Sequence, residues 1–348
     1  MTDLTIGLPV FNAMPFLEEC LESLLKQTDE DFTVLAIDDG STDSSLRYLQ
    51  SIRDPRLNVV TQIHSGLTFT LNRMLHEVST PWLMRHDADD IALPDRVRIT
   101  KKAIEQFPDA GMFYFDARYR QNERTVGSFR ITRATPAQLR QITNDGYLLA
   151  ICHPTVTLNV SKAIALGGYR FDLHIEDIDL WWRMALRYDI HYIPEVVTYF
   201  RHTLSSVSAA NLERQTVNTL YVQYLLLSHL HDLPPLSYEY ARDRLARYVN
   251  KPKLVCREEM RRANISCSQN HFWDGSKHLA AAIRAHPLYF AGRVFYELRP
   301  NDVVFNGEDP QMFLDRRDVL WPEERDSVVS AANSARTLTG NAKSVECV

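Results

Sequence analysis

The first hundred residues alternate between short apolar runs and longer stretches that are apolar on one side only. Residues 4–11 (LTIGLPVF) are apolar almost throughout and stop at Asn12, as a strand buried on both faces does. Pro15 then opens a helix on which Phe16, Leu17, Cys20, Leu21, Leu24 and Leu25 fall on one side. The pattern repeats: a strand over 32–37, a helix over 44–52, and a strand over 57–61. A loop with Gly66 follows, then a helix through Leu71, Met74, Leu75 and Val78, and a strand over 82–84. Pro94 suits the first turn of a helix that runs to about Phe107. Strands and helices alternating at this spacing predict an α/β fold of Rossmann-like plan, a mostly parallel sheet with helices on both faces. Ligands of such sheets bind beyond the carboxyl ends of the strands. Asp38-Asp39 and Asp87-Ala88-Asp89-Asp90 both fall at that edge, so the topology predicts that they lie close in space.

Residues 111–210 mix short strands (112–115, 155–159, 192–200) with one strong helix. Glu176-Asp177 begins that helix, and Leu180, Trp181, Met184, Ala185 and Tyr188 form its apolar face. From 211 the periodicity is helical only, clearest over 220–230, 238–248 and 277–284. This predicts an α/β domain over 1–210, a boundary near 205–211 and a helical region over 211–326. A tail over 327–348, rich in Ser, Ala, Asn and Thr, is expected to be poorly ordered.

Composition narrows the classes. With 348 residues, 45% apolar and 24% charged, the chain has material for one large or two modest domains. The net charge of −5 argues against a nucleic-acid partner. The five cysteines are odd in number and widely spaced, with no CxxC pair, which argues against a disulfide framework or zinc site and for a reducing compartment. Residues 1–5 lack the basic start and apolar run of a signal peptide, and no stretch reaches roughly 18 apolar residues, so a cytoplasmic protein is expected.

The chemistry-bearing residues are acids. Three carboxylates at one strand end repel one another, and carboxylates with open positions suit Mg²⁺ or Mn²⁺ shared with phosphates. The plainer reading of Asp87, Asp89 and Asp90 is a solvated loop capping the next helix. In Asp38-Asp39-Gly40-Ser41-Thr42-Asp43, Gly40 permits a tight turn and Ser41 or Asp43 caps a helix. Capping leaves the two adjacent acids unexplained. Asp39 is placed to accept the imide N–H of a uracil or thymine. The reading of Glu176 and Asp177 from position alone is helix-dipole stabilisation, worth about 0.3–1 kcal/mol.

Taken in order, Pro9-Val10-Phe11-Asn12, Leu25-Lys26-Gln27-Thr28, residues 32–43 (FTVLAIDDGSTD), Asp87-Ala88-Asp89-Asp90, Cys152-His153-Pro154, Gly167-Gly168-Tyr169 and residues 176–181 (EDIDLW) resemble the GT-A glycosyltransferases of family 2 over about residues 4–202. The resemblance implies a GT-A nucleotide-sugar fold. It implies inverting, metal-dependent transfer from a UDP- or dTDP-sugar to a glycan or lipid-linked acceptor, as in surface polysaccharide synthesis. It implies that Phe11 and Asp39 hold the base, Asp87 lies near the ribose, Asp89 binds Mn²⁺ or Mg²⁺, and Asp177 is the catalytic base with Glu176 as fallback. His202 resembles a histidine that in some relatives contacts metal or diphosphate. His153 and Trp182 are candidate acceptor contacts, against the simpler alternatives of a packed histidine and a core tryptophan.

The sequence departs from the family pattern at His64, where many relatives carry Asn, and at Leu71, where many carry Arg before Asn. Both departures leave uridine against thymidine open. The QxxRW motif of processive synthases is absent, which favours single additions. The basic cluster Arg257, Arg261, Arg262 reads as a solvated helix face, with peripheral membrane or anionic-acceptor binding as the alternative. The helical region could shape the acceptor site, contact a membrane or form a homodimer. A nucleotidyltransferase would carry a Gly-rich basic loop where residues 11–15 read FNAMP. A non-catalytic nucleotide-sugar binder has no need of Asp87, Asp89 and Asp177 together. A dehydrogenase would require GxGxxG after the first strand.

Overall fold

A computed structural model describes residues 3–121, 124–171, 175–201, 212–297 and 304–322. The amino-terminal half follows the expected alternation: β1 (Leu4–Val10), α1 (Phe16–Leu25), β2 (Thr33–Asp38), α2 (Ser45–Ser51), β3 (Leu57–Thr61), α3 (Leu67–Glu77), β4 (Trp82–Arg85), the two-residue β5 (Ile91–Ala92) and α4 (Arg96–Gln106). β6 (Met112–Gln121), β7 (Arg124–Ser128), α5 (Pro136–Asn144), β8 (Leu148–Leu149), β9 (Thr157–Asn159), α6 (Val160–Ala165), α7 (Glu176–Arg187) and β10 (Ile190–Arg201) follow.

The main sheet runs β3-β2-β1-β4-β9-β6-β10-β5, with β7 paired to β6. β1 is parallel to β2 and β4, β2 to β3, and β6 to β10, whereas β9 and β5 run antiparallel to their neighbours. This is the mostly parallel sheet that the sequence implied. Its strands are apolar on both faces because each face carries a core. Val34, Ala36, Met84, Phe113 and Phe115 pack with α1 in one cluster. Their alternates Leu35, Ile37, Leu83, Met112 and Tyr114 pack with Leu71, Met74, Leu180 and Trp181 in the other. The period-two alternation of strand side chains makes that division. The short β5, β7 and β8 and helices α5 and α6 were not in the sequence reading. Thr135 and Gln138 form a complete capping box at the start of α5, a T-x-x-Q signal that could have found it.

The helical part comprises α8 (Leu212–Leu230), α9 (Tyr238–Ala246), α10 (Lys251–Ser268), α11 (Phe272–Ala285), α12 (Pro287–Glu297), α13 (Pro310–Leu314) and α14 (Arg317–Leu320), with β11 (Phe305–Asn306) between α12 and α13. The helix expected over 277–284 is longer, and α10 and α12 are additional. α8 is apolar nearly all round because it is the axis of a third cluster, which also takes in Leu148, Ile175 and Trp182. Polar clamps bind it in place: Gln223 Nε2 donates to the carbonyls of Gly146 and Glu308, and β11 pairs with β8. Among the described residues no helix is long and apolar enough to cross a membrane. The expected boundary at 205–211 and the tail at 327–348 lie outside the described residues.

Candidate active site

The site begins where β1 and β2 end side by side, Val10 beside Asp38 in register. Two loops leave this edge and are latched together. Asn12 takes a left-handed conformation (φ 48°), which its short polar side chain tolerates. Its Oδ1 accepts from the N–H of Thr42 (2.8 Å), and its own N–H donates to Ser41 Oγ (3.0 Å). Gly40 turns with φ +74°, and a Cβ there would stand 2.8 Å from the His64 nitrogen, so the close approach of the 62–66 loop needs glycine.

That loop is organised by Asp39, which is buried. Its Oδ1 accepts from Gln62 Nε2 (2.6 Å) and from the N–H of Ser65 (2.8 Å). Its Oδ2 accepts from the N–H of Gly66 (2.9 Å) and lies 2.9 Å from His64 Nδ1. A carboxylate has about four acceptor sites, so the protein's own donors occupy three of them, while His64 Nδ1 is hydrogen-bonded to the Asp39 main-chain carbonyl (3.1 Å). Beside it the half-exposed ring of Phe11 stacks on His64, with centroids 4.1 Å apart and planes 19° from parallel. Asp38 is also buried; Oδ2 accepts from the N–H of Ser41, while Oδ1 has no partner.

β4 ends beside β1 and delivers Arg85, His86 and the acid run. A buried arginine from the next helix fixes this turn. Arg96 donates to His86 Nδ1 (2.6 Å), Thr198 Oγ1 (3.0 Å) and the carbonyls of Arg85 (2.6 Å) and Pro154 (2.7 Å), joining four chain segments. Burial, reinforced by Arg96 and Arg85, holds the His86 imidazole neutral, as an acceptor for Arg96 must be. Arg85 is buried too and pairs with Asp87 at 2.5 Å. Neither arginine was singled out in the sequence. The available signal was a cation closing an apolar strand immediately before an acidic run.

Asp87 is partly exposed, Asp89 half-buried and Asp90 buried. Burial and then the charge of Asp87 raise the Asp89 carboxyl to about 6, and the same causes push Asp90 up. Asp90 Oδ1 accepts from the N–H of Arg201, and among the described residues its Oδ2 has no partner. The acid expected at the start of α7 reaches the same place. Burial raises Asp177 to about 6, main-chain N–H groups at the helix start and Arg85 pull it down, and Asp87 pushes it up. Acids remote in sequence therefore lie within each other's field.

The remaining candidates separate. Glu176 is buried beside Asp177, in the first turn of α7. His153 Nε2 lies 3.2 Å from the Tyr169 hydroxyl, and its ring meets Trp181 edge-on, so it is packed and hydrogen-bonded. Trp182, expected as an acceptor contact, is corrected: it is buried in the helical cluster, its Nε1 donates to Asp179 (3.2 Å), and Arg170 lies over its ring, so no face remains for a sugar. His202 lies outside the described residues.

Among the described residues no three Asp, Glu, His or Cys side chains gather closely enough to enclose a metal. The chemistry of the acid run nevertheless fits a divalent cation: the orphan Asp90 Oδ2 and the raised Asp89 mark negative charge that the protein leaves uncompensated. An open carboxylate site completes its shell with phosphate and water, as Mg²⁺ sites do.

The mostly parallel sheet with acids at its carboxyl edge, backed by helices, is the arrangement of a GT-A fold. Residues 5–165 match the model of glycosyl transferase family 2. The chain is 28% identical over 191 residues to an uncharacterized glycosyltransferase of Haemophilus influenzae, covering 53% of this chain and 70% of that protein. It is 27% identical over 194 residues to the amylovoran biosynthesis glycosyltransferase AmsE of Erwinia amylovora, with 53% and 70% covered. In fold it is similar to S. aureus TarS 1–349 in complex with UDP-GlcNAc, at a TM-score of 0.54 and 14% identity, covering 81% of this chain and 92% of that one.

Proposed function

We propose that the chain transfers a sugar from a uridine or thymidine diphosphate sugar to a hydroxyl of a glycan or lipid-linked glycan, inverting the anomeric carbon. The observation that carries this reading is the meeting of Asp87 and Asp177 at one sheet edge, beside the Phe11 and Asp39 loops. The base stacks on Phe11 near Asp39, the ribose lies at Asp87 and the diphosphate at Asp89. Asp177 accepts the proton of the acceptor hydroxyl as its oxygen attacks the anomeric carbon and the bond to the diphosphate oxygen breaks. A general base works best with a pKa near the working pH, and a carboxyl at about 6 is better suited than an ordinary one. Arg85 holds Asp87 and favours the ionised form of Asp177. Mn²⁺ or Mg²⁺ at Asp89, with His202 as a second ligand, would neutralise charge gathering on the leaving diphosphate.

Glu176 and the His153–Tyr169 pair border the acceptor side. The transferase region, 1–210, does the chemistry, and the helical region, 211–326, shapes the acceptor end. The likeness to AmsE, an amylovoran biosynthesis glycosyltransferase, supports a role in polysaccharide synthesis, and a place at the inner face of the cell membrane is part of the same proposal. The test is a melting-temperature screen of nucleotide sugars with Mn²⁺, followed by product analysis with the stabilising donor. A ligand that binds only the folded state raises the melting temperature. Expected are stabilisation by UDP- or dTDP-sugars, transfer with inversion, and loss of transfer in chelator that Mn²⁺ or Mg²⁺ restores. Retention of configuration, full turnover in chelator, or release of pyrophosphate from a nucleoside triphosphate would each overturn a stated part.

A further inference from the structure

Away from the cleft, we infer that the outer face of α11 and the start of α12 form a docking surface for an anionic lipid bilayer. α11 is built inside out for a helix on a water-facing surface. Its inner side packs on α10 through Gly275, where a Cβ would stand 2.4 Å from Cys267 Sγ, and through buried Ala282. His278 anchors the same side, its Nδ1 2.7 Å from Glu259 Oε2 of α10. At about 100° per residue, Phe272, Leu279 and Ile283 fall within about 40° of one another on the flank next to that side. All three are exposed, Phe272 by 64%. Trp273, 75% exposed, lies about 80° further round, nearly opposite the packed side, followed within about 40° by Arg284 and Lys277. The apolar surface continues into α12, where Leu288 is 82% exposed. Large apolar side chains in a contiguous exposed stripe mark an interaction site.

Charge selects the occupant. Residues 251–297 carry eight Lys and Arg against four Asp and Glu, in a chain with 39 against 44 overall. Lys277 is paired with Asp274 (2.9 Å), Lys253 with Glu308 and Arg262 with Glu258, which leaves Arg284 as the cation of the outer face with no ion pair among the described residues. A second copy meeting this face across a twofold axis would set the same positive surface against itself. An anionic headgroup layer complements it. An aromatic and aliphatic stripe bordered by Trp, Arg and Lys is the pattern of a helix lying in the headgroup boundary. The inference rests on this surface alone, and not on the donor or the acids of the cleft.

The test is flotation of the full chain with vesicles of phosphatidylcholine and phosphatidylglycerol in equal parts, against vesicles of phosphatidylcholine alone. Expected is recovery with the anionic vesicles only, reduced in molar salt. The triple variant Phe272→Ser, Trp273→Ser, Leu288→Ser should lower partitioning by about tenfold or more, with an unchanged melting temperature because all three side chains are already in water. Arg284→Glu, which touches no apolar packing, should lower it several-fold and decides the matter should the triple variant prove unstable. No flotation, equal flotation with neutral vesicles, or binding indifferent to both variants would overturn the inference. So would a dimer in light scattering that the triple variant dissociates, which would assign the face to a second copy.

Discussion

Asp177 and Asp179 stand two residues apart on α7, yet they belong to regions built on opposite rules. Asp179 is fully buried and completely answered. Arg170 reaches it with two donors (2.9 and 2.6 Å), Arg183 with two more (3.1 and 2.7 Å), and Trp182 with one. Arg183 also donates to the carbonyls of Leu166 and Gly168, so this collar ties the Gly167-Gly168-Tyr169 turn to α7. Asp177, one half-turn earlier, has only main-chain donors and a shared Arg85, opposed by Asp87. A buried charge given partners becomes architecture; one left short of them stays available for chemistry.

The largest expected contrast is in turnover. Asp177→Asn should reduce transfer on the order of 10³-fold while a UDP- or dTDP-sugar still raises the melting temperature. Loss of donor binding instead, or unaltered turnover, would remove Asp177 from its place. The parent's turnover should climb with pH up to about 6, as the raised Asp177 carboxyl ionises, and level off above that; a rate falling as pH rises through this window would contradict the base role.

Asp179→Ala should leave two guanidinium groups without their anion and cost about 3–5 kcal/mol of stability by denaturant titration. A loss under about 1 kcal/mol would mean that the collar is ornamental. Asp177→Asn should move stability the other way. Because the folded-state pKa of Asp177 lies above the ordinary value of 3.8, ionising it destabilises the fold progressively as pH rises from about 4 through 6. The variant escapes that penalty and should be more stable than the parent by on the order of 2 kcal/mol at pH 8, with no difference near pH 3. Equal stability at both pH values would show that burial does not oppose this charge. Smallest, Phe11→Ala should weaken UDP binding about 3- to 10-fold in calorimetry through loss of a stacked ring; unchanged affinity would move the base elsewhere.

The same division explains what could be read in advance. The βαβ alternation and the placing of both acidic runs at one edge follow from periodicity and topology, which are local or nearly so. Asp39 stood out because capping leaves two adjacent acids unexplained, whereas Asp87, Asp89 and Asp177, which have structural readings of their own, stood out through the ordered series of motifs around them. Arg85, Arg96, Arg170 and Arg183 did not stand out, because an arginine in a helix or closing a strand is ordinary until its partners arrive from far along the chain. Trp182 was misread for a like reason. The helix position that exposes it to Asp179 and Arg170 is also the one that α8 covers, and α8 begins only at Leu212, in a region without diagnostic motifs. Periodicity found helices there but not which of them would keep an apolar face outward.

The crowded carboxylate of Asp39 carries one more consequence. If a pyrimidine binds there as proposed, its imide N–H would have only the acceptor site that Gln62, Ser65 and Gly66 leave, and it would displace the His64 ring from beside Oδ2. Uracil and thymine present the same N–H, so this carboxylate would not tell them apart, whereas cytosine would set the lone pair of its N3 against it; among uridine and thymidine donors the choice would fall to the sugar.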